Sequence, residues 1–244
     1  MQGSKIETAA DLGAHLAENG SFAEKQGIVV AYPNGTGRLG FLTWNSGKCC
    51  GYAVKNEVDD VGFTRAMLAN IKSDVVIDNK RVYATGISNG AMMAYRLACE
   101  MSEELAAIAP VAGTLAVDSC SPKKLVPIIH FHGTADQNVP LKGGMGEDSV
   151  AGVSHRSVYE TLDIMKKMRG CDNAPGKTKL GDSTVDKYSC RNGGPVEFVL
   201  IDNGGHNWPG GDLPNRAKRR GEYTSQSISA NEEMWTFFNS LSGQ

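Results

Sequence analysis

The chain has 244 residues, of which 41% are hydrophobic, 21% charged and 7% aromatic. This is the ordinary composition of a globular protein, and it excludes disordered, collagen-like and coiled-coil chains. The 25 basic and 27 acidic side chains leave a net charge of −2, so no overall field favours binding to nucleic acid or to an anionic membrane.

The length allows two domains, but no Pro/Ser-rich or charged linker divides the chain, and we predict a single domain over residues 1–244. No apolar run approaches the roughly 20 residues that a membrane span needs. Residues 1–20 lack a basic stretch followed by an apolar run. The sequence therefore predicts no signal peptide in this chain.

Short β-branched runs alternate with helical patterns along the chain. The helices are predicted after Asp59 or Asp60, over 89–100, after the capping box of Ser157 and Glu160, and over 228–241. This alternation predicts a mostly parallel central sheet with helices on both faces. The strands are predicted at residues 28–32, 81–85, 107–111, 126–132 and 196–202.

The segment Gly86-Ile87-Ser88-Asn89-Gly90 joins a predicted strand to a predicted helix. A serine on such a tight turn lies exposed at the carboxyl end of the sheet, and flanking glycines let strand and helix approach closely. The backbone amide of Asn89, at the helix N-terminus, can donate to an oxyanion. We therefore predict a nucleophile at Ser88 and an oxyanion donor at Asn89, with an ordinary turn as the alternative.

A serine nucleophile needs a histidine base and a carboxylate, in the chain order Ser, Asp or Glu, His for this topology. Asp136 follows the predicted strand at 126–132, and His206 lies in a glycine-flanked loop after the last predicted strand. Both positions are at the same edge of the sheet as Ser88. The sequence thus predicts Asp136 as the acid and His206 as the base.

Two other patterns suggest bound groups. His130 and His132 share a strand face near Asp136, but a third metal ligand is missing, and hydrogen bonds to the adjacent loop account for them. We predict no metal, and we expect His15 and His155 to be surface residues. The glycine-rich run at 35–40 is similar to a dinucleotide fingerprint, but no helix follows it, so we predict no cofactor.

The six cysteines lack the Cys-x-x-Cys spacing of a zinc site. We predict disulfides and an oxidising compartment, with free thiols in a cytosolic protein as the alternative. Cys171 and Cys190 lie at the two ends of a polar segment between the predicted helix after Ser157 and the predicted strand at 196–202, and we predict that they pair. Cys49 and Cys50 are predicted to find partners in Cys99 and Cys120, in an order that the sequence leaves open.

Five motifs together resemble the polyhydroxybutyrate depolymerase and feruloyl esterase family of α/β-hydrolases. The resemblance implies the α/β-hydrolase fold and a secreted, cofactor-free serine esterase whose nucleophile, acid and base are Ser88, Asp136 and His206. It also suggests that Trp208 lines the acyl or alcohol pocket, with core packing as the alternative. The motifs lie at 44–51, 58–63, 86–90, 132–136 and 204–210, so the resemblance covers nearly the whole chain.

The sequence departs from that family before residues 28–32, where family members carry an apolar strand that ends in His-Gly and supplies the second oxyanion amide. We expect the sheet to lack such N-terminal strands. Losing one oxyanion donor lowers turnover by about 10² to 10³. The strands at 28–32 and 81–85 are then expected to pair directly or to expose edges that promote association.

The leading hypothesis is an esterase that hydrolyses a plant cell-wall hydroxycinnamoyl or acetyl ester, or a polyester oligomer, through an acyl-enzyme. The same triad serves serine peptidases, which is one alternative. A weakly active or inactive relative that binds a polysaccharide or a protein partner is another. Neither nucleic acid nor a membrane is an expected partner.

Overall fold

The computed structural model of the protein describes residues 22–213 and 215–241. A small antiparallel hairpin, β1 (Thr36–Arg38) and β2 (Phe41–Thr43), precedes a central sheet of six strands in the order β3-β4-β5-β8-β7-β6. The six are β3 (Tyr83–Ile87), β4 (Ala107–Val111), β5 (Ile128–Gly133), β6 (Gly176–Leu180), β7 (Ser183–Tyr188) and β8 (Val196–Ile201). The pairs β3–β4, β4–β5 and β5–β8 are parallel, and the two pairs that β7 makes are antiparallel.

Helices fill the connections between these strands. Asp59 caps the third helix by accepting a hydrogen bond from the amide of Gly62, and Ser157 caps the fifth by accepting one from the amide of Glu160, as the sequence predicts. The helices are α1 (Phe22–Lys25), α2 (Gly51–Lys55), α3 (Asp60–Asp74), α4 (Asn89–Glu100), α5 (Val158–Arg169), α6 (Asn215–Arg220) and α7 (Ala230–Ser240), with a 3₁₀ turn at Ser102–Glu104.

The central strands are buried on both faces because their side chains alternate between two layers of helix. In β4, Ala109 and Val111 join the cluster that contains Met234 and Phe237 of α7. Ile108, which precedes Ala109 and faces the opposite side of the sheet, joins the cluster formed with α4 and α5. The predicted mostly parallel sheet with helices on both faces is therefore confirmed. None of the helices in the described ranges is long and apolar enough to cross a bilayer.

The predicted strand at residues 28–32 is wrong. This run has no regular secondary structure, and Val29 and Tyr32 are 51% and 38% exposed. A β-branched run becomes a strand only where a neighbouring backbone pairs with it, and β3 pairs here with β4 alone among the described strands. Of the two expected outcomes for residues 28–32 and the strand predicted at 81–85, direct pairing does not occur.

All six cysteines form disulfides, and the predicted pair Cys171–Cys190 is confirmed. The predicted partners of Cys49 and Cys50 are wrong, because these two residues pair with each other and Cys99 pairs with Cys120. Cys49 and Cys50 pack near Met92 in the first turn of α4, whereas Cys99 lies near the end of that helix. Two helical turns separate the two ends, which is too far for a disulfide.

Replacing both Cys171 and Cys190 by serine should lower the free energy of unfolding by about 3 kcal/mol, because the unfolded chain regains the entropy of an open loop. Urea unfolding of the wild type and the double variant, both prepared under oxidising conditions, measures this difference. Peptide mapping without reduction should recover the two residues linked in the wild type. Equal midpoints and slopes for the two proteins would contradict the prediction.

Candidate active site

Ser88 occupies a strained turn between β3 and α4. Its φ of 57° and ψ of −121° lie in a region that side chains rarely adopt, at a cost of about 1 to 3 kcal/mol. Its amide donates to the carbonyl of Val111 on β4, and its carbonyl accepts from the amide of Met92. The surrounding sheet and helix thus hold the strained residue at the carboxyl end of β3, where its side chain is partly exposed.

Only one of the two glycines that flank this turn is needed for close packing. A Cβ at Gly86 would lie 2.8 Å from the carbonyl carbon of Gly90, whereas a Cβ at Gly90 would meet nothing within 4 Å. Gly86 therefore lets the first turn of α4 approach the end of β3. Asn89 is the first residue of that helix, so its backbone N–H belongs to the first turn, where no preceding helical carbonyl accepts it.

The side chain of Asn89 fastens the turn to the loop that follows β2. Its Oδ1 accepts from the amide of Trp44 at 2.6 Å, and its Nδ2 donates to the Trp44 carbonyl at 3.0 Å and to Ser46 Oγ at 3.2 Å. Asn45 in the same loop donates its amide to Asp60 Oδ2 at 2.6 Å, and Arg96 donates to its carbonyl at 2.6 Å. The motif at 44–51 therefore holds the turn of Ser88 in place through Asn89.

The loops that carry Asp136 and His206 are packed backbone against backbone. They follow the neighbouring parallel strands β5 and β8, whose carboxyl ends meet at one edge of the sheet. The amide of Ala135 donates to the Gly204 carbonyl at 2.9 Å. A Cβ at Gly133 would lie 2.0 Å from the Gly204 carbonyl oxygen. Glycine at 133 therefore allows the approach that brings the two side chains together.

Asp136 and His206 are hydrogen bonded, with His206 Nδ1 2.8 Å from Asp136 Oδ2. The other carboxylate oxygen of Asp136 accepts from the amides of Asn138 and Val139 at 2.9 and 2.8 Å. Burial alone would raise the pKa of Asp136, but the charge and hydrogen bond of His206, with help from His132 and the Val139 amide, hold that pKa below its ordinary value. Asp136 is 5% exposed and ionised. The carboxylate therefore fixes Nδ1 of His206 as the donor.

Ser88 and His206 line one open cleft with a volume of about 970 Å³. Asn89, Val139 and the disulfide of Cys49 also line this cleft, which continues along the edge of β3. Apolar side chains such as Leu42, Ile71 and Phe238 line much of it, and this composition suits a ligand with an apolar part. The three sequence-predicted residues Ser88, Asn89 and His206 thus line the same cleft, and Asp136 is hydrogen bonded to the histidine.

The sequence also predicts where Trp208, His155 and His15 lie. Trp208 is 5% exposed and packs in the core, where its Nε1 donates to Asn231 Oδ1 at 3.2 Å, although one side of it contributes to the cleft wall. His155 is half-buried and lines the open cleft near His206, so its predicted place on the surface is confirmed only in part. The backbones of His155 and Gly144 pair through two hydrogen bonds, which close the loop between them. His15 lies outside the described residues.

Gly133→Ala is expected to lower the free energy of unfolding by about 1 to 3 kcal/mol, because the added methyl group meets rigid backbone of the facing loop. Gly90→Ala is the matched control, since its Cβ has free space on a helix, where alanine is favoured over glycine by up to about 1 kcal/mol. Urea unfolding of both variants measures the two effects. Equal stability of Gly133→Ala and the wild type would show that the two loops do not need their close contact.

Comparison with known proteins gives relatives for most of the chain. A model of a family described as phospholipase/carboxylesterase matches residues 55–168. Feruloyl esterase B of Piromyces equi is 33% identical over 201 residues, which are 78% of this chain and 36% of that protein. The bifunctional acetylxylan esterase/xylanase XynS20E of Neocallimastix patriciarum is 31% identical over 116 residues, which are 48% of this chain and 16% of that protein. The chain therefore spans about a third or less of the length of these two relatives.

A solved structure shares the architecture. The acetyl xylan esterase from Aspergillus awamori superimposes with a TM-score of 0.52 and 16% sequence identity, over 82% of this chain and 78% of that one. At 16% sequence identity, the similarity between the two structures shows a shared fold and nothing more. Together with the family match and the sheet of parallel strands, it shows that the fold is that of the α/β-hydrolases.

Proposed function

The chain belongs to the feruloyl esterase-like α/β-hydrolases, and from this membership we propose that it is a serine esterase in which Ser88, His206 and Asp136 form the catalytic triad. The observation that carries the proposal is the hydrogen bond of 2.8 Å between Asp136 and His206 in a cleft that also exposes Ser88 on its strained turn. A carboxylate, an imidazole and a hydroxyl in this arrangement are the parts that acyl transfer requires.

In the proposed reaction, Ser88 Oγ attacks the ester carbonyl while Nε2 of His206 removes its proton. Nε2 can accept that proton because Nδ1 holds the hydrogen that is donated to Asp136. The backbone amide of Asn89 donates to the oxyanion of the tetrahedral intermediate. His206 then gives the proton to the leaving alcohol, and the acyl-enzyme forms. Water, activated by the same histidine, releases the acid and restores the serine.

We propose that the substrate is a hydroxycinnamoyl or acetyl ester of the plant cell wall rather than a polyester. The names of the relatives support this choice, because they describe a feruloyl esterase and acetylxylan esterases. The mostly apolar cleft offers room for an aromatic acyl group. Three disulfides also suit an oxidising compartment, and we propose that the protein is secreted.

A small substrate panel tests the proposal. Methyl ferulate, p-nitrophenyl acetate, p-nitrophenyl butyrate and hydroxybutyrate oligomers should separate the acyl classes, with the first two hydrolysed fastest. A fluorophosphonate probe should label the protein stoichiometrically, and peptide mapping should place the label on Ser88. Absence of labelling in folded protein would instead support a binding protein that retains the fold. Faster hydrolysis of the hydroxybutyrate oligomers would overturn the substrate assignment.

A further inference from the structure

A line of buried polar side chains runs from the interior of the protein to the carboxylate of Asp136. Tyr95 Oη of α4 lies 2.9 Å from His130 Nδ1 on β5, and His130 Nε2 lies 3.2 Å from His132 Nδ1. His132 Nε2 lies 2.9 Å from the carbonyl oxygen of Val139 and 3.5 Å from Asp136 Oδ2. Tyr95, His130 and His132 are at most 1% exposed, so water does not compete for these contacts.

Both histidines in this line are neutral. Burial lowers the pKa of His130 well below its ordinary value, and the neighbouring His132 lowers it further. Burial also lowers the pKa of His132, although Asp136 and the Val139 carbonyl oppose that shift. Burial raises the pKa of Tyr95, which keeps its hydroxyl protonated. Each imidazole therefore carries a single hydrogen and must place it on one of its two nitrogens.

The contacts permit only one placement of these hydrogens. The Val139 carbonyl can only accept, so Nε2 of His132 must hold the hydrogen of that ring. Nδ1 of His132 is then an acceptor and requires the hydrogen of His130 on Nε2. Nδ1 of His130 accepts in turn from the hydroxyl of Tyr95. All the donors point in one direction, from Tyr95 toward the loop of Asp136.

Val139 connects His132 to the carboxylate of Asp136 through its two backbone groups. Its carbonyl accepts from His132, while its amide donates to Asp136 Oδ1 at 2.8 Å. The distance of 3.5 Å between His132 Nε2 and Asp136 Oδ2 is too long for a good hydrogen bond, but the N–H dipole still faces the negative charge. His132 thus holds the loop and stabilises the carboxylate from the interior of the protein.

We propose that His132 is a positioning residue for Asp136, held in a single tautomer by the Val139 carbonyl and supported in it by His130 and Tyr95. This inference rests on the proposed function, since Asp136 matters for turnover only if it orients His206. His132 is buried and does not line the cleft that contains Ser88 and His206. A change at His132 should therefore alter the rate of the chemical step and leave substrate binding almost unchanged.

His132→Leu and His132→Gln separate positioning from simple packing. Leucine fills much of the space without a donor, whereas the glutamine amide can place an N–H near the position of Nε2. We expect His132→Leu to lower kcat for p-nitrophenyl acetate by about 10- to 100-fold with KM changed less than about twofold, since small displacements of catalytic groups have effects of this size. His132→Gln should recover kcat to within about fivefold of the wild type by restoring the hydrogen bond.

Tyr95→Phe tests the far end of the line without removing a ring. It should lower kcat by about 3- to 10-fold, because His130 loses the donor that fixes its tautomer, while Tyr159→Phe on the exposed side of α5 should leave kcat unchanged. NMR of the imidazole nitrogens at neutral pH should show His130 and His132 both protonated on Nε2 in the wild type, and a mixture of His130 tautomers in Tyr95→Phe. The NMR measurement does not depend on activity, so it tests the inference even if His132→Leu does not fold.

Three results would overturn the inference: protonation of His132 on Nδ1 in the wild type, an unchanged kcat in folded His132→Leu, or equal losses in the leucine and glutamine variants. The proposed function fails differently. If wild-type protein neither hydrolyses p-nitrophenyl acetate nor reacts at Ser88 with the fluorophosphonate probe, the triad assignment is wrong, whatever the tautomer of His132. The two failures are therefore distinguishable.

Discussion

Ser88→Ala is expected to abolish ester hydrolysis while the protein remains folded. Removing a triad residue in a comparable hydrolase lowers turnover by about 10⁴- to 10⁶-fold. The fold should tolerate the change, because the hydroxyl is partly exposed and makes no contribution to the backbone hydrogen bonds that hold the turn. Hydrolysis of p-nitrophenyl acetate measures the loss, and urea unfolding measures the stability. The variant should also no longer react with the fluorophosphonate probe.

Ser73→Ala is the matched control for this change. Ser73 is exposed on α3 and does not line the cleft, and its Oγ donates to the nearby carbonyl of Asn70 at 2.6 Å. It should hydrolyse the ester and react with the probe as the wild type does. If Ser88→Ala retained more than about a thousandth of the wild-type turnover, Ser88 would not be the nucleophile, since the residual activity of triad knockouts lies below that level.

Local sequence patterns were sufficient for the strands and helices that surround Ser88. The predicted strand at 107–111 and helix at 89–100 have the bounds of β4 and α4, because apolar periodicity and the glycine-flanked turn act over a few residues. The Ser157 cap was predictable for the same reason. These elements fix the end of β3 and the carboxyl edge of the sheet, so three loops that carry Ser88, Asp136 and His206 could be placed at one edge.

Other features depend on contacts between distant segments and could not be predicted in this way. The strand β6 is almost fully exposed and carries two lysines, so it lacks the alternation of apolar residues that marks a strand. The run at 28–32 has a strand-like composition but no partner strand among the described residues. The pairing of Cys99 with Cys120 depends on how the loop after β4 returns to α4. In each case the deciding contact is remote in sequence.

The same limit applies to the surroundings of Asp136. The sequence predicts that His130 and His132 share a strand face and bond to the adjacent loop, and the contact of His132 with Val139 agrees with this. The participation of Tyr95 could not be predicted, because it lies 35 residues before His130 on a helix packed across the sheet. The approach of His155 to the cleft likewise depends on the bridge that closes its loop.

Asp136→Asn is expected to lower turnover by about 10⁴-fold near neutral pH, because it stabilises the wrong tautomer of the base. The surroundings of Asp136 determine how the new amide must lie. Oδ1 accepts from the amides of Asn138 and Val139, so the oxygen of asparagine keeps that position. The NH₂ group then faces Nδ1 of His206, where Oδ2 accepted a hydrogen. An NH₂ group can only donate there, so His206 must carry its hydrogen on Nε2 and cannot remove the proton of Ser88.

Asp163→Asn on α5 is the matched control, because it removes an exposed carboxylate that pairs with Lys166, and such surface ion pairs contribute at most about 1 kcal/mol to stability. Its turnover should equal that of the wild type. Asp136→Asn should remain folded, since the carboxamide oxygen keeps the amides of Asn138 and Val139 and the NH₂ group donates to Nδ1 of His206. Reaction with the fluorophosphonate probe should slow in parallel with ester hydrolysis, because both require the base to activate Ser88. Turnover within about tenfold of the wild type would mean that the tautomer of His206 is set by a group other than Asp136.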